Sequence, residues 1–216
     1  MTDPAPLLEI VRLSLVVSGV AVVASSLLGV PLGAYLGLAR FRGRDVVVSL
    51  IHTGMALPPV LVGLVVYLAL SRSGPLGSWG WLYTPRAMIV AQIILTLPLV
   101  VGITMHGVAA VPRELFDQLR GLGASTRQAR RAVLRDARGA VGLAIATALG
   151  RSLSEVGAVM MVGGNIEGHT RVLTTAVVLE TGRGEFGAAL TLGGVLLLSA
   201  LLVNVAILRF QVRGAP

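Results

Sequence analysis

Residues 113–128 read Arg113-Glu114-Leu115-Phe116-Asp117-Gln118-Leu119-Arg120-Gly121-Leu122-Gly123-Ala124-Ser125-Thr126-Arg127-Gln128, and Arg130, Arg131, Arg135 and Arg138 follow. Pro112, just before, suits a first helical turn, and Glu114 suits that turn's positive end. A short helix can run to Leu122, where Gly123 supplies the left-handed backbone that stops it. Ser125 and Gln128 stand at the S-x-x-Q spacing of a capping box, so a second helix should start there. Phe116, Leu119 and Leu122 recur at three-residue spacing and should form an apolar ridge. On these features alone, a polar loop with an ordinary surface helix is the competing reading.

The sequence on either side is too apolar for water. The chain has 216 residues, of which 55% are hydrophobic and 13% charged, with mean hydropathy +0.85. Soluble domains carry roughly 25% charged residues, and a water-soluble globule of this composition would expose large apolar patches. Five runs, at about 13–38, 46–70, 87–110, 140–162 and 188–208, are long enough to span a membrane. A helix needs roughly 20 apolar residues to cross about 30 Å of hydrocarbon. The expected class is an all-α membrane protein with five transmembrane helices in a single domain, 1–216, and a polar segment at 111–138. Pro31, Pro58, Pro59 and Pro98 fall mid-span and should kink their helices. Gly29, Gly33 and Gly37 make a small-xxx-small ridge suited to close helix packing within the chain, with a dimer face as the alternative.

Arginine placement sets an orientation, because cytoplasmic loops collect basic residues. The turn after the first run, the 111–138 segment and the tail together hold twelve arginines, whereas the opposite ends hold five: Arg12, Arg72, Arg86, Arg171 and Arg183. The N-terminus is therefore expected outside and the C-terminus in the cytoplasm. Trp79, Trp81 and Tyr83 sit in the outer loop like interfacial anchors. The opening Met-Thr-Asp-Pro-Ala-Pro has no basic n-region, so a cleaved signal peptide is not expected. Net charge is +8 and every basic residue is Arg. A Walker A loop needs its Lys to reach phosphate, so any ATP energy must come from another chain. The arginines gather at the ends of apolar runs, which argues against nucleic acid as a partner.

Asp117-Gln118-Leu119 with Gly123 resembles the E-A-A-x-x-x-G loop of ABC importer permeases of the type I, binding-protein-dependent family. Asp replaces Glu, Gln-Leu replaces the small pair, and Arg135-Asp136 stands near the place of a closing L-P. Leu122-Gly123-Ala124-Ser125 is similar to the molybdate/sulfate-type permeases, as is Ser154-Glu155-Val156-Gly157-Ala158 running on to Gly164-Asn165-Ile166. The segment Leu173-Thr174-Thr175-Ala176-Val177-Val178-Leu179-Glu180-Thr181 looks like the tungstate-specific branch.

The resemblance implies a type I permease fold in the plasma membrane of a bacterium or archaeon. It also implies that Phe116, Asp117, Gln118, Leu119, Leu122, Gly123, Ala124 and Ser125 dock on an ATPase. The implied partners are a second copy of the chain, two ABC ATPase subunits carrying ATP and Mg, an extracytoplasmic oxyanion-binding protein, and membrane lipid. This chain itself should hold no catalytic residue, metal or cofactor. The expected cargo is tungstate, with molybdate or sulfate as alternatives.

Within the fourth run, Arg151 and Glu155 share a helix face at i, i+4 and can neutralise each other. Buried charges of this kind face an interior or a water path. Ser152, Ser154, Asn165, Thr174 and Thr175 join them as candidate path residues, since neutral donors suit an oxyanion that must pass without sticking. The competing reading has the hydroxyls bonded to helix carbonyls and Asn165 ending a helix. His52, His106 and His169 look scattered, and Asn204 reads as interhelical glue. An ion-coupled secondary transporter or channel predicts internal repeats and paired broken helices, and no repeat is legible. An intramembrane serine protease needs a nucleophile and a base, and the sequence offers neither a G-x-S-x-G motif nor a Ser–His pair.

Overall fold

The structure is a computed structural model that describes residues 4–213, so the Met-Thr-Asp opening lies outside the described residues. All regular elements there are helical: α1 (Pro4–Leu38), α2 (Arg44–Met55), α3 (Pro59–Leu70), a 3-10 turn at Gly77–Trp79, α4 (Pro85–Ala109), α5 (Arg113–Gly121), α6 (Thr126–Asp136), α7 (Arg138–Leu153), α8 (Gly157–Gly163), α9 (Leu173–Gly182) and α10 (Phe186–Arg213).

α4 forms the centre. α1, α2, α3, α7 and α8 all pack against it. Over its most apolar stretch α4 is 56% buried, against 11% for α10, which places α10 at the periphery. Leu197, Leu198, Leu201 and Leu202 of α10 are exposed, as are Leu15, Leu27 and Leu28 of α1. Lipid tails solvate such side chains, so the outward leucines cost nothing in a bilayer.

The glycine ridge of α1 meets α4 within the chain. A Cβ at Gly33 would lie 2.6 Å from the Val101 carbonyl oxygen, and one at Gly37 2.8 Å from that of Met105. The absence of a side chain at both positions is what lets the two backbones touch.

Only three of the five expected spans are single helices: α1, α4 and α10. The second is α2 and α3 meeting at 96°, and the fourth is α7 and α8 meeting at 56°. If each bent pair is one span, the number of crossings is five. Leu57-Pro58-Pro59 explains the first break. Each proline disfavours helical backbone at the residue before it, and Pro58 is extended at φ −65°, ψ 123° while Pro59 opens α3. Pro31 and Pro98, by contrast, stay inside continuous α1 and α4. The first helix also begins earlier than the apolar run implied, at Pro4. The short α9 has no counterpart in the reading of apolar runs. It is fastened by its first amide: Leu173 N–H donates to Ser14 Oγ of α1 at 2.8 Å.

Candidate functional site

The basic segment folds as the sequence wrote it. At the end of α5 the Ala124 N–H donates to Leu119 O at 3.0 Å and the Gly123 N–H to Arg120 O at 3.1 Å. That pair of bonds is a Schellman stop, and it needs the left-handed φ of +88° that Gly123 adopts. Arg120 reinforces the turn by donating to Ala124 O at 2.7 Å. Two residues on, the Gln128 N–H donates to Ser125 Oγ at 3.3 Å and the Ser125 N–H to Gln128 Oε1 at 2.8 Å, completing the capping box of α6.

The apolar ridge does not hold together. Phe116 turns inward onto the cluster of Val108, Val133 and Ala137, alongside Leu115. Leu119 and Ala124 are half-buried. Leu122 is 85% exposed at the tip of the turn, beside exposed Asp117, Gln118, Gly123 and Ser125. What the hairpin offers a partner is therefore a rigid tip with one bare leucine and a polar flank.

The second group of candidates gathers where α7 breaks into α8, and the expected Arg151–Glu155 pair is absent there. α7 ends at Leu153, so the two residues do not lie on one continuous helix. Glu155 is buried and turns forward, its Oε1 accepting from the Ala158 N–H at 3.0 Å in the first turn of α8. A carboxylate at a helix start is well placed against the exposed amides and the positive end of the dipole. Arg151 keeps a buried Nε with no hydrogen-bond partner, and no ion pair joins it to Glu155 among the described residues.

Ser152, Glu155 and Thr174 come together around one small polar void of about 10 Å3, which Ser14, Ser18 and Gln92 also line. Space of that size holds about one water, so it is no conduit. Ser152 Oγ donates to Gln92 Oε1 at 2.7 Å while Gln92 Nε2 donates to Ser152 O at 3.0 Å. Thr174 Oγ1 donates to Glu155 O at 2.9 Å, tying α9 to the break. The remaining candidates lie elsewhere. Ser154 is exposed and donates to Arg151 O at 3.1 Å. Thr175 donates to Val172 O at 3.0 Å and accepts from the Val172 N–H, so it organises the start of α9. Asn165 follows the end of α8 with φ +52° and leaves its Oδ1 buried without a partner.

One feature has no counterpart in the sequence reading, and two expectations differ from the structure. Gln92 is the polar partner of Ser152; its signal was a lone amide inside an apolar run. His52 and His106, read as scattered, stack with ring centroids 5.2 Å apart. Asn204 bonds within its own helix, Nδ2 donating to Ala200 O at 3.0 Å, and does not reach across.

Comparison with known proteins places this arrangement. The family described as "Binding-protein-dependent transport system inner membrane component" matches residues 29–213. A probable anion ABC transporter permease protein of Haloferax volcanii is 43% identical over 212 residues, covering 96% of this chain and 91% of that protein. The tungstate uptake system permease protein TupB of Peptoclostridium acidaminophilum is 39% identical, covering 94% and 89%. The molybdenum transport system permease protein ModB of Escherichia coli K12 is 30% identical, covering 88% and 86%. Among solved structures, a chain of the MetNI methionine ABC transporter in an inward-facing conformation superposes over both full chains with a TM-score of 0.79 at 17% identity, which shows the shared fold. The paired broken helices therefore belong to a permease of this type and do not signal a secondary transporter. The chain belongs to the binding-protein-dependent transport system inner membrane component family, and is a multi-pass membrane permease component of an ABC transporter, not a catalytic enzyme.

Proposed function

We propose that two copies of this chain form the membrane path for tungstate in an ABC importer. Separate ATPase subunits drive it from the cytoplasm, and an extracytoplasmic binding protein delivers the anion. The N-terminus lies outside and the C-terminus inside. The observation that carries the reading is the hairpin tip at Leu122 and Gly123: a bare leucine on a doubly locked turn at the arginine-rich end. An exposed leucine on a rigid polar element suits a complementary apolar contact. The closed 10 Å3 void supports a path between copies, because a single copy encloses no channel around the Ser152–Glu155–Thr174 group. In this arrangement Asp117 to Ser125 set into the ATPase, and movement there reaches the α7–α8 break through α6 and α7.

Tungstate is favoured by the Leu173–Thr181 segment and by the tungstate permease of Peptoclostridium acidaminophilum at 39% identity. Molybdate has nearly the same charge and shape, and the molybdenum permease at 30% identity supports it as the second reading. The test is ATP-dependent uptake by vesicles holding the chain with its ATPase and binding protein. Tungstate accumulation that molybdate suppresses only in large excess is expected. Uptake of molybdate or sulfate in preference to tungstate reassigns the cargo, and no oxyanion uptake at all overturns the reading.

A further inference from the structure

α1 ends at Leu38, α2 begins at Arg44, α4 ends at Ala109 and α5 begins at Arg113. Between these ends lies a cavity of about 570 Å3, on the arginine-rich side. Arg40, Arg44, Arg113 and Arg130 line it, opposed by a single carboxylate, Asp117. Only Arg44 is engaged: its Nε and Nη2 donate to Leu36 O at 3.3 and 3.2 Å. Arg40, Arg113 and Arg130 have no ion pair or side-chain hydrogen bond among the described residues. The lining also includes half-buried Leu38, Val111 and Phe116, which pack over the buried Val108 and Val133.

We infer that this cavity binds the phosphodiester headgroup of an anionic phospholipid. Four guanidiniums against one carboxylate demand an anion, and the guanidinium fork matches phosphate oxygens in bidentate fashion. The volume falls within the ~300–1,000 Å3 range of small-molecule sites. The apolar lining separates the two sources of such an anion. Free phosphate or a free oxyanion gains nothing from the half-buried Leu38, Val111 and Phe116, whereas a lipid's glycerol and upper acyl carbons do. The position agrees, because the ends of three apolar helices mark the depth at which headgroups lie, where basic pockets between helices select anionic lipids. The inference rests on the membrane reading of the chain and is independent of which anion is carried.

The experiment is native mass spectrometry of the full-length chain in detergent with equal amounts of phosphatidylglycerol and phosphatidylcholine. Selective retention of phosphatidylglycerol is expected. The Arg113→Gln/Arg130→Gln pair should lower it on the order of tenfold, and Arg113→Lys/Arg130→Lys should lower it less. Arg72→Gln/Arg86→Gln, at the opposite ends of α3 and α4, should leave retention unchanged in protein of equal thermal stability. Equal retention of the two lipids, or phosphatidylglycerol undiminished in the Gln pair, overturns the inference. Displacement of the lipid by millimolar phosphate or tungstate reassigns the cavity to a soluble anion. Loss of the lipid on assembly with the ATPase reassigns the arginines to a protein carboxylate.

Discussion

Gln92 and Ser152 exchange two hydrogen bonds across the interior, amide to backbone carbonyl at 3.0 Å and hydroxyl to amide oxygen at 2.7 Å. The pair fastens the central helix α4 to α7 one residue before α7 ends, and both side chains are buried. A reciprocal pair fixes direction as well as contact. It holds the end of α7 in register with α4 while the chain turns into α8.

Removing one partner strands the other. Gln92→Leu keeps the volume roughly constant but leaves the Ser152 groups without their partner, at a cost of about 1–3 kcal/mol. Adding Ser152→Ala should recover part of that loss, because two apolar groups need no partner. Thermal unfolding of the detergent-solubilised variants checks this. A double variant less stable than Gln92→Leu alone contradicts the pairing.

The α1–α4 contact should be intolerant of a single methyl group. At Gly33 the nearest atoms to a Cβ are the Val101 carbonyl oxygen at 2.6 Å and Thr104 Cβ at 2.8 Å, and a backbone oxygen cannot swing aside. Gly33→Ala is expected to destabilise by about 1–3 kcal/mol. Gly19→Ala, on the same helix with open space around it, should be neutral or slightly stabilising. Equal tolerance at both positions, measured as folded yield and melting temperature, contradicts the close packing.

Much of this was legible in the sequence because the signals are local. The helix–turn–helix at 113–136 depends on Gly123, Ser125 and Gln128, which act within a few residues of themselves, and its bonds fall where the sequence put them. The apolar runs are equally local. The breaks were harder to read, because each is only a two-residue interruption of an apolar run, Pro58-Pro59 at the first and Ser154-Glu155 at the second. Two consecutive prolines are the sterically decisive signal at the first break. At the second, Glu155 was read as the partner of Arg151 on an unbroken helix. A carboxylate bonded to its own downstream amide ends that continuity. The Gln92–Ser152 pair and the His52–His106 stack depend on distances between helices, which no spacing along the chain encodes.

Orientation is testable because the chain contains no cysteine. Arg127→Cys should be labelled by an impermeant thiol reagent only after the cells are opened, and Ser78→Cys should be labelled in sealed cells. Labelling of position 127 from outside contradicts the proposed topology.

The most direct measurement of the central claim uses Gly123. No atom lies within 4 Å of a Cβ built there, so the position has room for a side chain. Its φ of +88° is the obstacle, since a β-branched residue cannot readily adopt it. Gly123→Val should therefore insert at normal membrane level with the spans intact, while the hairpin loses its Schellman stop. ATP-dependent tungstate uptake in vesicles containing the ATPase and binding protein is expected to fall by at least about tenfold, as is stimulation of ATP hydrolysis. Wild-type uptake by a normally inserted Gly123→Val chain would contradict the assignment of this hairpin as the element through which the ATPase drives the membrane path.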